Sequence, residues 1–423
     1  MNVTEKAEHC PEVGNIRPSE AYSTITKGSH HVNTFKTLCF IAFQIFFVLL
    51  WYSNGFSEEG LEWNRLRFLP ELSIYETYTD NVYLSATDER NDTITTFSPK
   101  LSIDLAFAPR NYLTLRLEGD FRLYAHSENF KKEIYRTSLF WTLTTGKGST
   151  FQAGARADFN SYQPYSERDD HKDYEDKEAY ADLLIPLGAS LNAGLRYSHL
   201  SERFKDPLFA VDEFDRDTIT LKLIYKRLPA TAPFVEYTYY HQDNNDIISS
   251  SLDFNTHLLL VGVQWEPAAK LSGFLKAGYY ISKFDNGEDS SGSAIDADVI
   301  YRFSDATHFK INAFRRLASS TRAARDTGDF YVSTGGSMSV SNSRWDPLMM
   351  SLDITYRENK FEQKDISGET REDDFFGIGI RAKYAPRDWL SFGITYYYEV
   401  NDTNFAPAAY RANRVQASIT FAF

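Results

Sequence analysis

Leu113 to Tyr124 reads LTLRLEGDFRLY. Its odd positions are Leu113, Leu115, Leu117, Gly119, Phe121 and Leu123; its even positions are Thr114, Arg116, Glu118, Asp120, Arg122 and Tyr124. Successive side chains of a β-strand point to opposite faces, so this stretch is a strand with one apolar and one ionic face. The pattern recurs where Phe151, Ala153, Ala155, Ala157 and Phe159 interleave with Gln152, Gly154, Arg156, Asp158 and Asn160. It recurs again where Val415, Ala417, Ile419, Phe421 and Phe423 interleave with Gln416, Ser418 and Thr420. From residue 63 onward no stretch shows the three- and four-residue apolar spacing of a helix, so the body is expected to be all-β.

Turn segments, most of them bearing Gly or Pro, cut this body into strands. Short ones lie at Ala108-Pro109-Arg110-Asn111, Gly146-Lys147-Gly148-Ser149, Leu187-Gly188, Leu228-Pro229-Ala230, Glu266-Pro267-Ala268-Ala269, Ser304-Asp305-Ala306-Thr307, Arg344-Trp345-Asp346-Pro347 and Ala385-Pro386-Arg387-Asp388. Between them run longer polar stretches at 85–92, 126–133, 163–177, 205–215, 242–250, 285–293, 319–328, 362–373 and 402–411. Eight short turns alternating with nine long loops predict about 18 antiparallel strands, within 16–18, with both ends of the body on one side. Soluble strands average about 5–6 residues, whereas strands crossing a bilayer need about 9–11. These are the longer kind. An open sheet in lipid would strand unpaired backbone groups, so a transmembrane antiparallel β-barrel is expected over 71–423. The tyrosines at 237, 239 and 240, at 279 and 280, and at 396, 397 and 398 fall toward strand ends, where amphipathic rings favour the headgroup level.

Composition narrows the function. Aromatics at 15% rule out a disordered chain, and a net charge of -13 argues against nucleic acid, which requires a basic face. Cys10 and Cys39 both lie near the N-terminus, which removes disulfide frameworks, thiolate metal sites and cysteine catalysis from the body. Thr37 to Trp51, TLCFIAFQIFFVLLW, has the length of a signal-peptide core rather than of a spanning helix, with Ser53 and Gly55 as small residues before a cleavage point. We therefore expect a leader and signal over 1–55, a periplasmic lead-in over 56–70, and export to a Gram-negative outer membrane.

If the apolar faces meet lipid, the alternate positions line the interior. Basic candidates for the pore lining are Arg116, Arg122, Arg156, Arg196, Lys222, Arg302, Arg316, Arg357 and Arg381. Acidic candidates are Glu118, Asp120, Asp158, Glu236, Asp296, Asp298 and Glu399. An Arg or Lys at the lipid midplane would cost about 2–4 kcal/mol, which favours placing them inward. Signs that nearly balance suit hydrated, uncharged or weakly acidic solutes, because strict ion selection uses rings of one sign. Tyr124, Tyr180, Tyr240, Tyr280 and Tyr397 share the inward register and offer sugar-stacking faces; the bland alternative is an interior cross-braced by ion pairs. Phe421 and Phe423 end the chain as an aromatic strand of the kind barrel-insertion machinery recognises. Acidic loops such as Glu167 to Glu178 have two readings: cation bridges to lipopolysaccharide, or solvated surface charge.

Tyr75 to Leu105, YETYTDNVYLSATDERNDTITTFSPKLSIDL, joins an aromatic strand ending in Asp80-Asn81-Val82 to a polar loop, then Asp92-Thr93-Ile94-Thr95-Thr96 and Ser98-Pro99. This opening hairpin resembles that of the β-barrel porin 2 family, Gram-negative outer-membrane proteins often tied to exopolysaccharide or exosortase systems. The resemblance implies an outer-membrane barrel, with a secreted polysaccharide and periplasmic export proteins as candidate partners, and it carries no catalytic residues.

Enzymatic chemistry finds little support. No HExxH, GxSxG or phosphate-cradling glycine loop is present, and His199 with Ser201 lacks a nucleophile motif. No cofactor or metal is expected, Asp285-Asn286-Gly287-Glu288-Asp289 lacking the spacing of a calcium loop. The expected function is a channel for polar solutes, secreted exopolysaccharide among them. The alternatives are a non-conducting structural or adhesive barrel and a soluble β-protein with an N-terminal anchor.

Overall fold

The computed structural model describes residues 61–127, 132–162, 172–205, 213–228, 230–244, 253–265, 270–285, 288–319, 330–364 and 368–423. The expected signal segment, the cleavage site, both cysteines and part of the lead-in lie outside the described residues. A short strand, β1 (Leu61–Trp63), precedes eighteen long ones: β2 (Leu66–Thr79), β3 (Asp92–Ala108), β4 (Asn111–Tyr124), β5 (Lys132–Thr144), β6 (Thr150–Tyr162), β7 (Lys172–Pro186), β8 (Leu191–Phe204), β9 (Phe214–Tyr225), β10 (Thr231–Asn244), β11 (Phe254–Trp265), β12 (Leu271–Phe284), β13 (Ser290–Arg302), β14 (Thr307–Ser319), β15 (Phe330–Trp345), β16 (Leu348–Lys364), β17 (Thr370–Arg387), β18 (Leu390–Thr403) and β19 (Tyr410–Ala422). Each of β2 to β18 pairs antiparallel with the next, and β19 returns to β2 with Ile419 opposite Ile74. The sheet is therefore a closed barrel of eighteen strands without a free edge. Strand β1 pairs only with the start of β2. At about 4.8 Å between strands tilted near 40°, eighteen strands close a cylinder roughly 36 Å across at the backbone.

Side-chain exposure is inverted relative to a soluble protein. Leu221, Val261 and Ile394 are 50%, 58% and 56% exposed, while Thr256, Ser282 and Glu236 are 1%, 0% and 9% exposed. Register explains the inversion: Lys222 lies opposite Glu236, and Leu223 opposite Val235, so polar and apolar residues each form continuous rows around the barrel. The apolar rows face lipid and the polar rows face the lumen.

The outer face carries two aromatic rings. Toward the long-loop end Tyr197, Tyr356 and Tyr396 donate from their hydroxyls to Asp217 at 2.6 Å, Asp374 at 2.7 Å and Asn413 at 2.8 Å, each on the next strand. Tyr239 donates to Asn255 at 2.6 Å and Tyr279 to Ser291 at 3.0 Å. Each hydroxyl reaches past the apolar belt for a polar partner, as a ring at the headgroup boundary does. Toward the turn end lie Trp141, Tyr225, Tyr301, Phe303, Trp345 and Tyr384, all exposed. On β11 the belt runs from His257 to Trp265, which at about 3.4 Å per residue and 40° tilt spans roughly 20 Å, close to the apolar band of a membrane barrel. The tyrosine clusters are thus split by alternation: Tyr237, Tyr239, Tyr279 and Tyr396 face out, and Tyr240, Tyr280 and Tyr397 face in.

Several expected loops are partly strand. β7 starts at Lys172 inside the stretch read as 163–177, β13 starts at Ser290 inside 285–293, and β16 and β17 extend into 362–373. Beyond the hydrocarbon a strand needs ladder partners but no apolar face, so polar composition does not end it. β16 and β17 accordingly run 17 and 18 residues. The wall itself begins at Leu66, a few residues before 71. At the short-turn end, Gly148 adopts φ 84° in the turn after β5, and its N–H donates to Thr145 at 3.0 Å.

Candidate functional site: the lumen wall

The sixteen charged residues singled out in the sequence all fall in the lumen register. Their ion-pair partners are mostly other charged residues of the wall. Asp120 accepts from Arg136 at 3.3 Å and from the Ser98 hydroxyl at 2.6 Å, and Glu118 lies 4.0 Å from Lys100. Glu178 holds Arg156 at 2.9 Å and Arg196 at 3.8 Å. Asp298 pairs with Lys310 at 3.1 Å, and Glu399 accepts from Arg414. Among the described residues the longest chain of pairs runs from Lys222 to Glu236 at 3.7 Å, from Glu236 to Lys276 at 2.9 Å, and from Lys276 to Asp296 at 3.2 Å.

That chain crosses five strands, β9 to β13, because β11 contributes a glycine. Gly262 lies opposite both Phe234 and Lys276. A Cβ there would meet the Lys276 Cβ at 2.7 Å and the Phe234 ring at 2.8 Å. The missing side chain lets Lys276 on β12 reach Glu236 on β10 over the top of β11.

Glycines elsewhere seat aromatic rings against the wall. A Cβ at Gly154 would meet the Tyr180 ring at 2.9 Å, and one at Gly379 would meet the Tyr397 ring at 3.1 Å. A cation covers each ring: Arg196 at 4.9 Å from the Tyr180 centroid, Arg414 at 5.3 Å from Tyr397, and Lys222 at 3.9 Å from Phe234. Arg116, Arg316 and Arg357 lie 5.0 Å from Phe140, Phe314 and Phe375. Cation and quadrupole attract, so these cationic groups are held against the wall. Arg122 and Arg381 lie opposite Thr96 and Ser351, and Arg302 opposite His308. Tyr124 borders a polar cavity of about 530 Å3 on the β2–β4 wall, with Tyr75, Thr96, Asp120 and Arg122.

Arg136, Lys310, Arg414 and Gly262 are wall residues the sequence reading did not name, and Glu178, read there as the end of an acidic loop, lies on β7 in the lumen register. Alternation would have placed the charged four on the inner face; the role of Gly262 depends on register and was not legible. His199 and Ser201 face out: His199 Nδ1 lies 2.9 Å from Asp217, whereas Ser201 hydrogen-bonds Asp215. Phe421 and Phe423 follow the outward register, and the Phe423 ring stacks on Trp389 at 6.4 Å.

No curated protein matches the chain. Among solved structures it is similar to OpdL of Pseudomonas aeruginosa at 14% identity, covering 85% of this chain and 98% of that one with a TM-score of 0.45. It is similar to OccK2 (OpdF) of the same organism at 10% identity, covering 85% and 97% with a TM-score of 0.47. The siderophore receptor PirA, also from Pseudomonas aeruginosa, is 9% identical over 84% of this chain and 80% of that one, with a TM-score of 0.44. The family model described as Putative beta-barrel porin 2 matches residues 67–423, the whole barrel wall. The chain belongs to that β-barrel porin family.

Proposed function

We propose that the protein is a pore of a Gram-negative outer membrane that passes hydrated, uncharged or weakly acidic solutes, a secreted polysaccharide among them. One observation carries this reading: both signs of charge line the lumen wall of a closed eighteen-strand barrel, and many of them pair across neighbouring strands. Barrels of 16–18 strands enclose water. Paired charges leave only a short-range field, which falls off within about 8 Å at physiological salt, so the wall attracts water without selecting ions by sign. The tyrosine rings beneath Arg196 and Arg414 favour the cross-braced wall over open stacking platforms. Sugar recognition is then left to exposed hydroxyls and guanidinium edges, as in the cavity bordered by Tyr75 and Arg122.

The reading is non-enzymatic and needs no cofactor or metal. Its partners are outer-membrane lipid, lipopolysaccharide at the charged outward rows above the tyrosine ring, insertion machinery at the Phe423 end, and periplasmic export proteins at the short turns. Planar-bilayer recording tests it. Folded protein, identified by a heat-dependent gel shift, is expected to form channels with little preference between potassium and chloride. Absence of channels from such protein would favour the non-conducting structural barrel.

A further inference from the structure

The lumen wall is hollowed where β2, β3 and β4 carry short hydroxyl side chains in neighbouring rows. Ser73 lies opposite Ser98, and Tyr75 lies opposite Thr96, which in turn lies opposite Arg122. With Thr77, Gly119 and Gln416 they border the polar cavity of about 530 Å3. Small-ligand sites enclose roughly 300–1,000 Å3, so the size is suitable. The loop-end border is preformed. Leu84, in the loop after β2, lines the cavity with φ 52°, a conformation that a bulky residue keeps only when its surroundings hold it. Asn81 does the holding: its side-chain amide donates to the carbonyls of Ser85 at 2.7 Å and Arg411 at 2.9 Å, and accepts from the Ser85 N–H at 3.1 Å.

Most charges around this cavity have partners in the wall. Asp120 holds Arg136 at 3.3 Å, Lys100 lies 4.0 Å from Glu118, and Arg414 donates to Glu399. Arg122 differs. Among the described residues no carboxylate pairs with it, and its contact is the neutral Tyr124 hydroxyl. Asp92, two rows nearer the loop end, is occupied by the N–H groups of Thr93, Ala125, His126 and Ser127. In the row of Arg122 itself, the Tyr75 and Thr96 hydroxyls have no hydrogen-bond partner among the described residues. The turn end has the opposite sign, because Glu71 and Glu118 flank Lys100 there. Glu118 is four residues from Arg122 along β4, about 14 Å. The cavity is therefore basic toward the loops and acidic toward the turns.

These features select a ligand. A guanidinium without a carboxylate in its own wall can take one from a solute, through two parallel N–H···O bonds that a lysine could not form. The Tyr75 ring gives an apolar face with a hydroxyl at its tip, which suits the C–H face of a pyranose. Thr77 accepts from Gln416 at 2.9 Å and keeps its O–H for a ring hydroxyl, as Thr96 does. The acidic turn end repels a carboxylate and so orients it toward Arg122. A simple anion would use Arg122 and leave the hydroxyl row idle; a neutral sugar would do the reverse.

We propose that this cavity is a subsite for an acidic sugar, a pyranose carrying a carboxylate, with Arg122 on the carboxylate and Tyr75 against the ring. As a solute subsite it rests on the pore reading above, but its binding is read at equilibrium, without any current. Saturation-transfer NMR titrations on the folded full chain in detergent micelles compare methyl β-glucuronide, methyl β-glucoside and acetate. The glucuronide is expected to bind about tenfold more tightly than either of the others. Arg122→Gln is expected to lower its affinity about tenfold and to leave the glucoside unchanged. Arg122→Lys, which keeps the charge and loses the fork, should retain only part of that affinity. Tyr75→Ala should weaken both sugars and spare acetate. Should Arg122→Gln fail to give the heat-dependent gel shift of folded protein, Arg122→Lys and Tyr75→Ala carry the test. Equal affinity for glucuronide and glucoside, acetate bound as tightly as glucuronide, or glucuronide affinity unchanged in the Arg122 variants overturns the proposal. No binding by protein that forms channels overturns the subsite and leaves the pore. Glucuronide binding by protein that forms none supports the subsite while the pore reading fails.

Discussion

Replacing Glu236 by Gln removes the one carboxylate that holds Lys222 at 3.7 Å and Lys276 at 2.9 Å. The side chains of Glu236 and Lys276 are 11% and 17% exposed, so water screens their contact poorly. With an effective dielectric constant of about 20, charges 2.9 Å apart attract by roughly 6 kcal/mol, and desolvation returns several of those. Lys276 keeps Asp296 at 3.2 Å, which limits the damage. The net loss should be about 2–3 kcal/mol, below the 3–5 kcal/mol typical of a fully buried pair broken on one side. Guanidinium unfolding in lipid vesicles, followed by tryptophan fluorescence, measures it. A double-mutant cycle with Lys276→Met isolates the pair and should show a coupling of about 1.5 kcal/mol or more. A coupling under about 0.5 kcal/mol would refute the reasoning, because the pair would then behave like one on an open surface.

The other expectations are local. Gly262→Leu should prevent Lys276 from crossing β11 and either block insertion or cost at least about 2 kcal/mol in the same titration, while Gly146→Ala, in a turn with open space around it, should cost far less. Val261→Arg at the lipid midplane should cost about 2–4 kcal/mol and Thr238→Arg in the lumen markedly less. Tyr356→Phe deletes the hydrogen bond to Asp374 and should cost about 0.5–1.5 kcal/mol, measured as a shift in the unfolding midpoint. Asp92, whose carboxylate accepts from the N–H groups of Thr93, Ala125, His126 and Ser127, should on replacement by Ala increase amide exchange at 125–127 with little effect on the barrel.

Much of this architecture is legible in the sequence because a membrane barrel imposes the same two-residue code on every strand. Leu113 to Tyr124 states the code once, and turn spacing multiplies it to eighteen strands. Arg116, Glu236 and Glu399 could be assigned to the inner face for the same reason. What alternation cannot show is register. Nothing local to Gly262 says that Phe234 and Lys276 will flank it, since neighbours two strands apart are set by long-range pairing. Nor does parity place Phe330: it reads as an outward residue, yet its ring is buried against Phe254 and Phe284. Loop boundaries fail where polar residues continue a ladder outside the hydrocarbon, as at Thr370 to Asp374.

A nitroxide scan from Thr218 to Leu223 in lipid vesicles tests the placement of apolar residues outside and charges inside. Labels at 219, 221 and 223 should collide preferentially with oxygen, and those at 218, 220 and 222 with a water-soluble nickel chelate. The opposite phase, or no two-residue phase at all, would contradict the account.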